Sequence, residues 1–259
     1  MKMPFFITDL TSALSFLTRL RMPDLLMAEM PAGARAAWAY PLAGAIATIL
    51  PAIALAGFVW LGASPLLAAL IAVLISIMIC GGLHEDGLAD AADGLFGGRD
   101  RETALAIMKD SHCGVFGVTA IVLSLLLRAA ALAALVPHYG ATAAALLFIA
   151  AAIAGRGSLV LQWTILPAAR TDGAAATLGR PGVRTTASAE AIALFLCVAL
   201  GIAANAFVQV VAALAFAGIA SLLFSAFVRK RIAGHTGDTL GAAAQISEIV
   251  FLATLVIAA

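Results

Sequence analysis

Four carboxylates and a histidine fall within the fourteen residues Gly81-Gly82-Leu83-His84-Glu85-Asp86-Gly87-Leu88-Ala89-Asp90-Ala91-Ala92-Asp93-Gly94. On a helix, Asp86, Asp90 and Asp93 stand at i, i+4 and i+7 and stack on one face. Three like charges on one face repel unless a cation sits among them, and an oxygen-only set of hard ligands suits Mg²⁺. His84 and Glu85 stand beside this stripe, the first as a hydrogen-bonding residue or a participant, the second as an additional acid. Gly87 and Gly94 are expected to let a phosphate-bearing ligand approach the backbone closely.

A second group follows in Gly97-Gly98-Arg99-Asp100-Arg101-Glu102 and Ile107-Met108-Lys109-Asp110-Ser111-His112-Cys113-Gly114. Asp100 can cap a short helix over 101–110, which returns Lys109, Asp110 and Ser111 to the neighbourhood of the acidic helix. Cations opposite a metal are what a phosphate or diphosphate needs, so Arg99, Lys109 and Ser111 are candidate phosphate ligands. Membrane anchoring accounts adequately for Arg101. A third group, from Arg229 to Ala242, is a glycine-rich entry to a helix that carries His235, Thr236, Asp238 and Thr239. Such an entry can bind phosphate at the helix N-terminus, which adds His235 and Asp238 to the candidates, with Glu248 a turn or two further on. Arg156 lies inside an apolar run and must meet a partner; Glu248 and a substrate anion are the candidates.

These residues interrupt a chain with very little charge. Of 259 residues, 63% are hydrophobic and 11% charged, with a mean hydropathy of +1.08. A soluble domain carries about 25% charged residues, so the chain reads as an integral membrane protein. The net charge of +1 says nothing about nucleic acid, but no basic run is long enough to bind one, so nucleic acid is not expected as a partner. Cys80, Cys113 and Cys197 are scattered and read as free thiols rather than a disulfide framework or zinc site. With Asp9 among its apolar residues and no small-residue cleavage site, the N-terminus does not read as a cleaved signal peptide.

A membrane span needs about 20 apolar residues. No Asp, Glu, Lys or Arg lies between Arg35 and Glu85, and this interval divides at Gly62-Ala63-Ser64-Pro65 into spans near 38–61 and 65–83. Runs at 114–136 and about 142–166 are separated by Pro137-His138-Tyr139-Gly140. Residues 191–228 hold two spans with Asn205 and Gln209 near the turn, and roughly 240–259 hold the last. The expected fold is all-α, a polytopic helical membrane protein of about seven transmembrane helices forming a single domain over 1–259. Its N-terminal segment, 1–36, carries a helix expected to lie in the interface, with Phe6, Leu10, Leu14 and Leu17 on one face.

Of the 15 basic residues, only Arg128 and Arg156 lie within spans. The others fall in the N-terminal segment, in 84–113, in 167–189 and at 229–231, while the opposite turns at 62–64, 137–141 and 205–209 hold none. Because cytoplasmic loops collect Lys and Arg, the N-terminus and the acidic catalytic loop 84–113 are expected on the cytoplasmic side. A homo-oligomer is left open.

The block from Gly81 to Leu95, then Ile107 to Ser111 with Gly114 and Phe116-Gly117, then Gly237-Asp238-Thr239-Leu240-Gly241-Ala242, closely resemble the adenosylcobinamide-GDP ribazoletransferase, or cobalamin 5′-phosphate synthase, family. Ser15-Phe16-Leu17-Thr18-Arg19-Leu20 and Tyr40-Pro41-Leu42 with Gly44 resemble that family's opening. Two positions depart from its pattern: Glu85 stands where an apolar residue is commoner, and Gln245 where an acid is expected. The resemblance implies a bacterial inner-membrane enzyme that joins α-ribazole, or its 5′-phosphate, to adenosylcobinamide-GDP and releases GMP. It also implies Mg²⁺ on Asp86, Asp90 and Asp93, phosphate oxygens on Arg99 and Lys109, and Asp110 or His84 as the base for the attacking hydroxyl.

Two other readings compete. Asp90-Ala91-Ala92-Asp93-Gly94 matches the opening of the CDP-alcohol phosphotransferase motif, but Gly97-Gly98-Arg99 replaces the expected Ala-Arg and no later aspartate pair at four-residue spacing follows. A cation-coupled transporter would place its acids at mid-membrane, often in inverted repeats; here they stand at one edge and no repeat is visible.

Overall fold

The computed structural model describes residues 5–23, 33–110, 112–171 and 177–259, so Ser111 lies outside the described residues. Within them the chain is helical: α1 (Phe5–Leu17), a 3-10 segment (Gly33–Ala39), α2 (Tyr40–Trp60), α3 (Pro65–Cys80), α4 (Leu83–Gly97), α5 (Arg101–Ile107), α6 (Val115–Ile165), α7 (Val183–Ala203), α8 (Phe207–Ile232) and α9 (Gly237–Ile257).

Five of these helices are long and apolar enough to cross a membrane, six when α3 and α4 are counted together. α6, which that count takes as one helix of 51 residues, is two helices that meet at a kink at Gly140, where the sequence places the turn between the 114–136 and 142–166 runs. At about 1.5 Å per residue its full length far exceeds the thickness of a bilayer, whereas each half on either side of the kink is of span length. Pro137 removes a backbone donor within it, and Gly140 adopts φ 81°, ψ 164°, a conformation closed to other residues, where the helix turns.

α3 begins where Ser64 accepts a hydrogen bond from the Leu67 amide, with Pro65 in the first turn. It ends at Gly81 and Gly82, both left-handed (φ 65° and 72°), and α4 leaves at 88° to α3. The acidic block is therefore a helix, as its spacing suggests, but one laid across the direction of the preceding apolar helix.

α9 is the most enclosed of the apolar helices and packs against α4, α6 and α8. Apolar burial cannot distinguish helix–helix from helix–lipid contact inside a bilayer, so small residues that let backbones approach carry the packing. Gly155 of α6 faces the Ala244 carbonyl, and Gly87 of α4 faces the Asp238 backbone and Gly241 of α9. Gly94 is likewise filled by Met108 and Ala104. The expectation that Gly87 and Gly94 admit a ligand to the backbone is thus corrected: their missing side chains are occupied by neighbouring helices. The bundle's outside is apolar too, with Leu50, Ile53, Leu74, Leu126, Phe195 and Leu223 exposed, as lipid contact requires.

α1 turns Asp9, Ala13, Leu14 and Leu17 inward, while Phe6 of the expected apolar face is exposed. The reason is Asp9, whose carboxylate accepts from Trp38 Nε1 at 2.9 Å and pairs with Arg35 at 2.8 Å. Beyond α1, the Arg19 amide donates to Ile79 O at 2.7 Å, and the Arg19 side chain lies against Gly81.

Candidate active site

The acidic helix is locked to its neighbours in its C-terminal turns. Asp93 accepts from the Gly114 amide at 2.7 Å and the Gly117 amide at 2.9 Å, the otherwise orphaned donors that open α6. A carboxylate there also meets the positive end of the helix. At the C-terminus of α4, Arg231 Nε donates to Leu95 O at 2.9 Å. Arg101 binds the carbonyls of Ile232 and Ala169, so it caps α8 rather than serving as a mere membrane anchor.

The three aspartates of α4 do share one side, and α9 adds a fourth. The charges of Asp86, Asp238 and Asp93 all bear on Asp90, opposed by Arg170. Arg170 pairs with Asp238 at 3.3 Å, and Asp238 also accepts from the Thr236 hydroxyl at 3.1 Å. Asp86 is exposed and Asp90 half-buried, whereas Asp93 is buried. Among the described residues, no three acidic, histidine or cysteine side chains already stand at metal-ligand spacing.

Two cavities meet at this edge. One, of about 220 Å³, is walled by Phe16, Tyr40, Trp163, Leu159 and Leu240, with His84, Asp86 and Asp238 as its polar side. The other, of about 630 Å³ and more polar, holds Arg19, Thr18 and Ser15 and shares Phe16, Leu83 and Asp86 with the first. His84 is 2% exposed, and its Nε2 has no hydrogen-bond partner among the described residues.

The sequence profile described as cobalamin-5-phosphate synthase matches residues 9–256. The chain belongs to the cobalamin-5-phosphate synthase family. A relative from Rhizobium johnstonii named adenosylcobinamide-GDP ribazoletransferase is 43% identical over 256 residues, covering 98% of both chains. One of the same name from Bradyrhizobium diazoefficiens is 42% identical over 247 residues, covering 95% of this chain and 92% of the relative. No solved structure matches. The expectations of an enzyme, and of a transferase in cobalamin biosynthesis, agree with membership of this synthase family.

Glu85 of the acidic helix and Gln245 of α9 meet in the buried layer between them. Gln245 Nε2 donates to Glu85 Oε1 at 2.9 Å, and the Ser124 hydroxyl donates to Gln245 Oε1 at 3.0 Å. Arg128 pairs with Glu85 and with Glu248, each at 2.9 Å, and Arg156 pairs with Glu248 at 3.1 Å. Two guanidiniums thus meet two carboxylates, and the buried cluster is formally neutral. Arg156, with Glu248 and a substrate anion as its candidate partners, takes Glu248; Glu85 and Glu248 are structural charges beneath the site.

Other candidates are dispersed. Arg99 and Lys109 are exposed on either side of α5, which Asp100 caps through the Thr103 amide at 2.8 Å and which ends at Ile107, earlier than expected. Asp110 is exposed and bonds the His112 ring nitrogen at 2.6 Å, which holds its carboxyl below the usual range and raises His112. His235 is 2% exposed; its backbone amide donates to Pro167 O and its carbonyl accepts from the Ala169 amide, each at 2.8 Å, and its imidazole is held down to about 4 by burial and by Arg180. The glycine-rich entry to α9 is closed by a Thr236–Thr239 capping box rather than left open to an anion. Arg170, Arg19 and the aromatic wall at Tyr40 and Trp163 escaped the sequence reading; only the basic character of their loops, or the Tyr40-Pro41 motif, marked them.

Proposed function

We propose that this chain transfers the adenosylcobinamide phosphoryl group from adenosylcobinamide-GDP to α-ribazole or its 5′-phosphate, with release of GMP. One observation carries the reading: Asp86 stands where two cavities meet, one apolar and also lined by Asp238, the other bearing Arg19, and the charges of Asp86 and Asp238 reach Asp90 against the single opposing charge of Arg170. Two-substrate transfer needs two adjoining spaces with charge neutralisation where they meet.

The carboxylates fit Mg²⁺ by chemistry: oxygen donors crowded together with a single opposing cation. Asp86, Asp90 and Asp238 would hold it, because Asp93 commits both oxygens to the start of α6 and instead positions α4. When bound, Mg²⁺ would neutralise diphosphate charge and favour departure of the nucleotide.

Arg19 and Arg170 then orient phosphate oxygens of the donor. The acceptor hydroxyl oxygen bonds to the corrinoid-side phosphorus, the bond from that phosphorus to the bridging oxygen breaks, and its electron pair leaves with GMP. The hydroxyl proton passes to His84 Nε2, which borders the apolar cavity beside Asp86. Asp110 is the weaker candidate, since it is exposed, lines neither cavity and is bonded to the His112 ring. The basic loops around the site favour a cytoplasmic orientation in the inner membrane.

The test uses the purified full chain in lipid nanodiscs with Mg²⁺, adenosylcobinamide-GDP and α-ribazole. GMP should appear only with both substrates, stop with EDTA and resume with added Mg²⁺. CDP-activated lipid with an alcohol should release no CMP; if it does while GMP never appears, the reading is wrong.

A further inference from the structure

We propose that the aromatic cavity between α1, α2, α6 and α9 receives the benzimidazole ring of the acceptor nucleoside and so sets which ribazole the enzyme accepts. The inference rests on the transferase reading of the same site and specifies how one substrate is bound.

Size comes first. Sites for drug-sized ligands run to about 300–1,000 Å³, whereas this cavity holds about 220 Å³. It suits a flat bicyclic ring, with sugar and phosphate left outside. The wall is built for such a ring: Phe16 stacks on Tyr40 with centroids 6.1 Å apart, and Tyr40 tilts on Trp163 at 6.0 Å. Trp163 commits its Nε1 to Gly179 O at 2.9 Å, so it offers the cavity only its aromatic surface. Leu159 and Leu240 complete the apolar sides.

Polarity then chooses between the two heterocycles in the reaction. Guanine carries donors and acceptors along its whole edge, and burial against leucine and aromatic walls would leave them unpaired. A benzimidazole nucleoside has one ring nitrogen outside the glycosidic bond and otherwise hydrocarbon, which matches these walls. The ionisable groups near neutral pH that line the cavity, His84, Asp86 and Asp238, are those of the proposed reaction centre, and Tyr40 adds a hydroxyl. A ring seated among the aromatics therefore turns its sugar hydroxyls toward His84 Nε2. Guanine is left with the larger, more polar space beside Arg19.

Binding is read from tryptophan emission of the full chain in nanodiscs, titrated with benzimidazole, α-ribazole and GMP. Benzimidazole and α-ribazole should quench saturably and compete with each other, the quench should vanish in Trp163→Phe, and GMP should neither quench nor compete. Leu159→Phe, which narrows the cavity, should raise KM for α-ribazole about tenfold and leave KM for adenosylcobinamide-GDP within about twofold. Competition by GMP at the Trp163 signal, or a rise in the donor KM alone, overturns the proposal. Turnover without any benzimidazole or ribazole quench also overturns it. Benzimidazole quench without GMP release supports the cavity assignment and counts against the transferase reading instead.

Discussion

The Gln245 amide and the Glu85 carboxylate, 160 residues apart, are bonded at 2.9 Å in the buried layer beneath the acidic helix. Glu85 is the second carboxylate that Arg128 and Arg156 need, and Gln245 is the neutral donor that holds it toward Arg128. One carboxylate of the cluster, Glu85, comes from α4 and the other, Glu248, from α9.

This relationship predicts the behaviour of a swap. Glu85→Gln leaves two buried guanidiniums with one carboxylate, and removal of one partner from a buried pair costs about 3–5 kcal/mol. Gln245→Glu alone adds an uncompensated negative charge and should also destabilise. The double variant Glu85→Gln/Gln245→Glu moves the charge across a single hydrogen bond and should recover most of the loss. Thermal unfolding in nanodiscs decides it; additive losses in the double variant would refute the exchange.

The aspartates of α4 should separate by phenotype. Asp93→Asn weakens the cap on α6 and should lower stability by about 1 kcal/mol, with activity falling only as the helix shifts. Asp86→Asn and Asp90→Asn remove like charges from a crowded rim and should leave thermal stability unchanged or raised. Their GMP release should fall about 100-fold or more, and the thermal upshift caused by Mg²⁺ should disappear. Equal loss of Mg²⁺ response in all three would return Asp93 to the ligand set.

His84 and Asp110 divide the base role cleanly. His84→Gln should lower kcat by about 100-fold or more with little change in the donor KM. Asp110→Asn should leave kcat nearly intact, and its measurable effect should be a lower His112 pKa by NMR, because the Asp110 contact is what raises it. A collapse of kcat in Asp110→Asn, with His84→Gln active, reverses the assignment.

Stability should fall on mild acidification because of His235. Burial, then Arg180, holds its folded-state pKa at about 4, below the roughly 6.5 of an unfolded histidine. Its neutral form is favoured in the fold, so this contribution is full above about pH 6.5 and shrinks as pH falls toward 4, when the unfolded chain binds the extra proton. The total is on the order of a few kcal/mol. Melting curves between pH 7.5 and 5 should be flatter for His235→Asn than for the native chain; parallel curves would mean that other groups control the slope.

The apolar runs, their turns and the acidic stripe were legible because each is a local property. Hydropathy over some twenty residues marks a helix in lipid, and i, i+4, i+7 spacing places Asp86, Asp90 and Asp93 on one side. Asp100 as the cap of α5 was readable for the same reason, since donor and acceptor are three residues apart. The 88° bend after α3 was not, because Gly81 and Gly82 permit a turn without fixing its direction.

What the sequence by itself determined is the medium, the helices and the residue types able to handle phosphate and a divalent cation. The tertiary structure decided which of them share a space. It drew Asp93 away to cap α6, brought Asp238 and Arg170 to Asp90, and buried Glu85, Glu248, Arg128 and Arg156 as a neutral cluster. A carboxylate reads the same in sequence whether it meets an amide, an arginine or a metal. Its partner is chosen by the crossing of α4, α6 and α9, where glycines at 87, 155 and 241 let the backbones close.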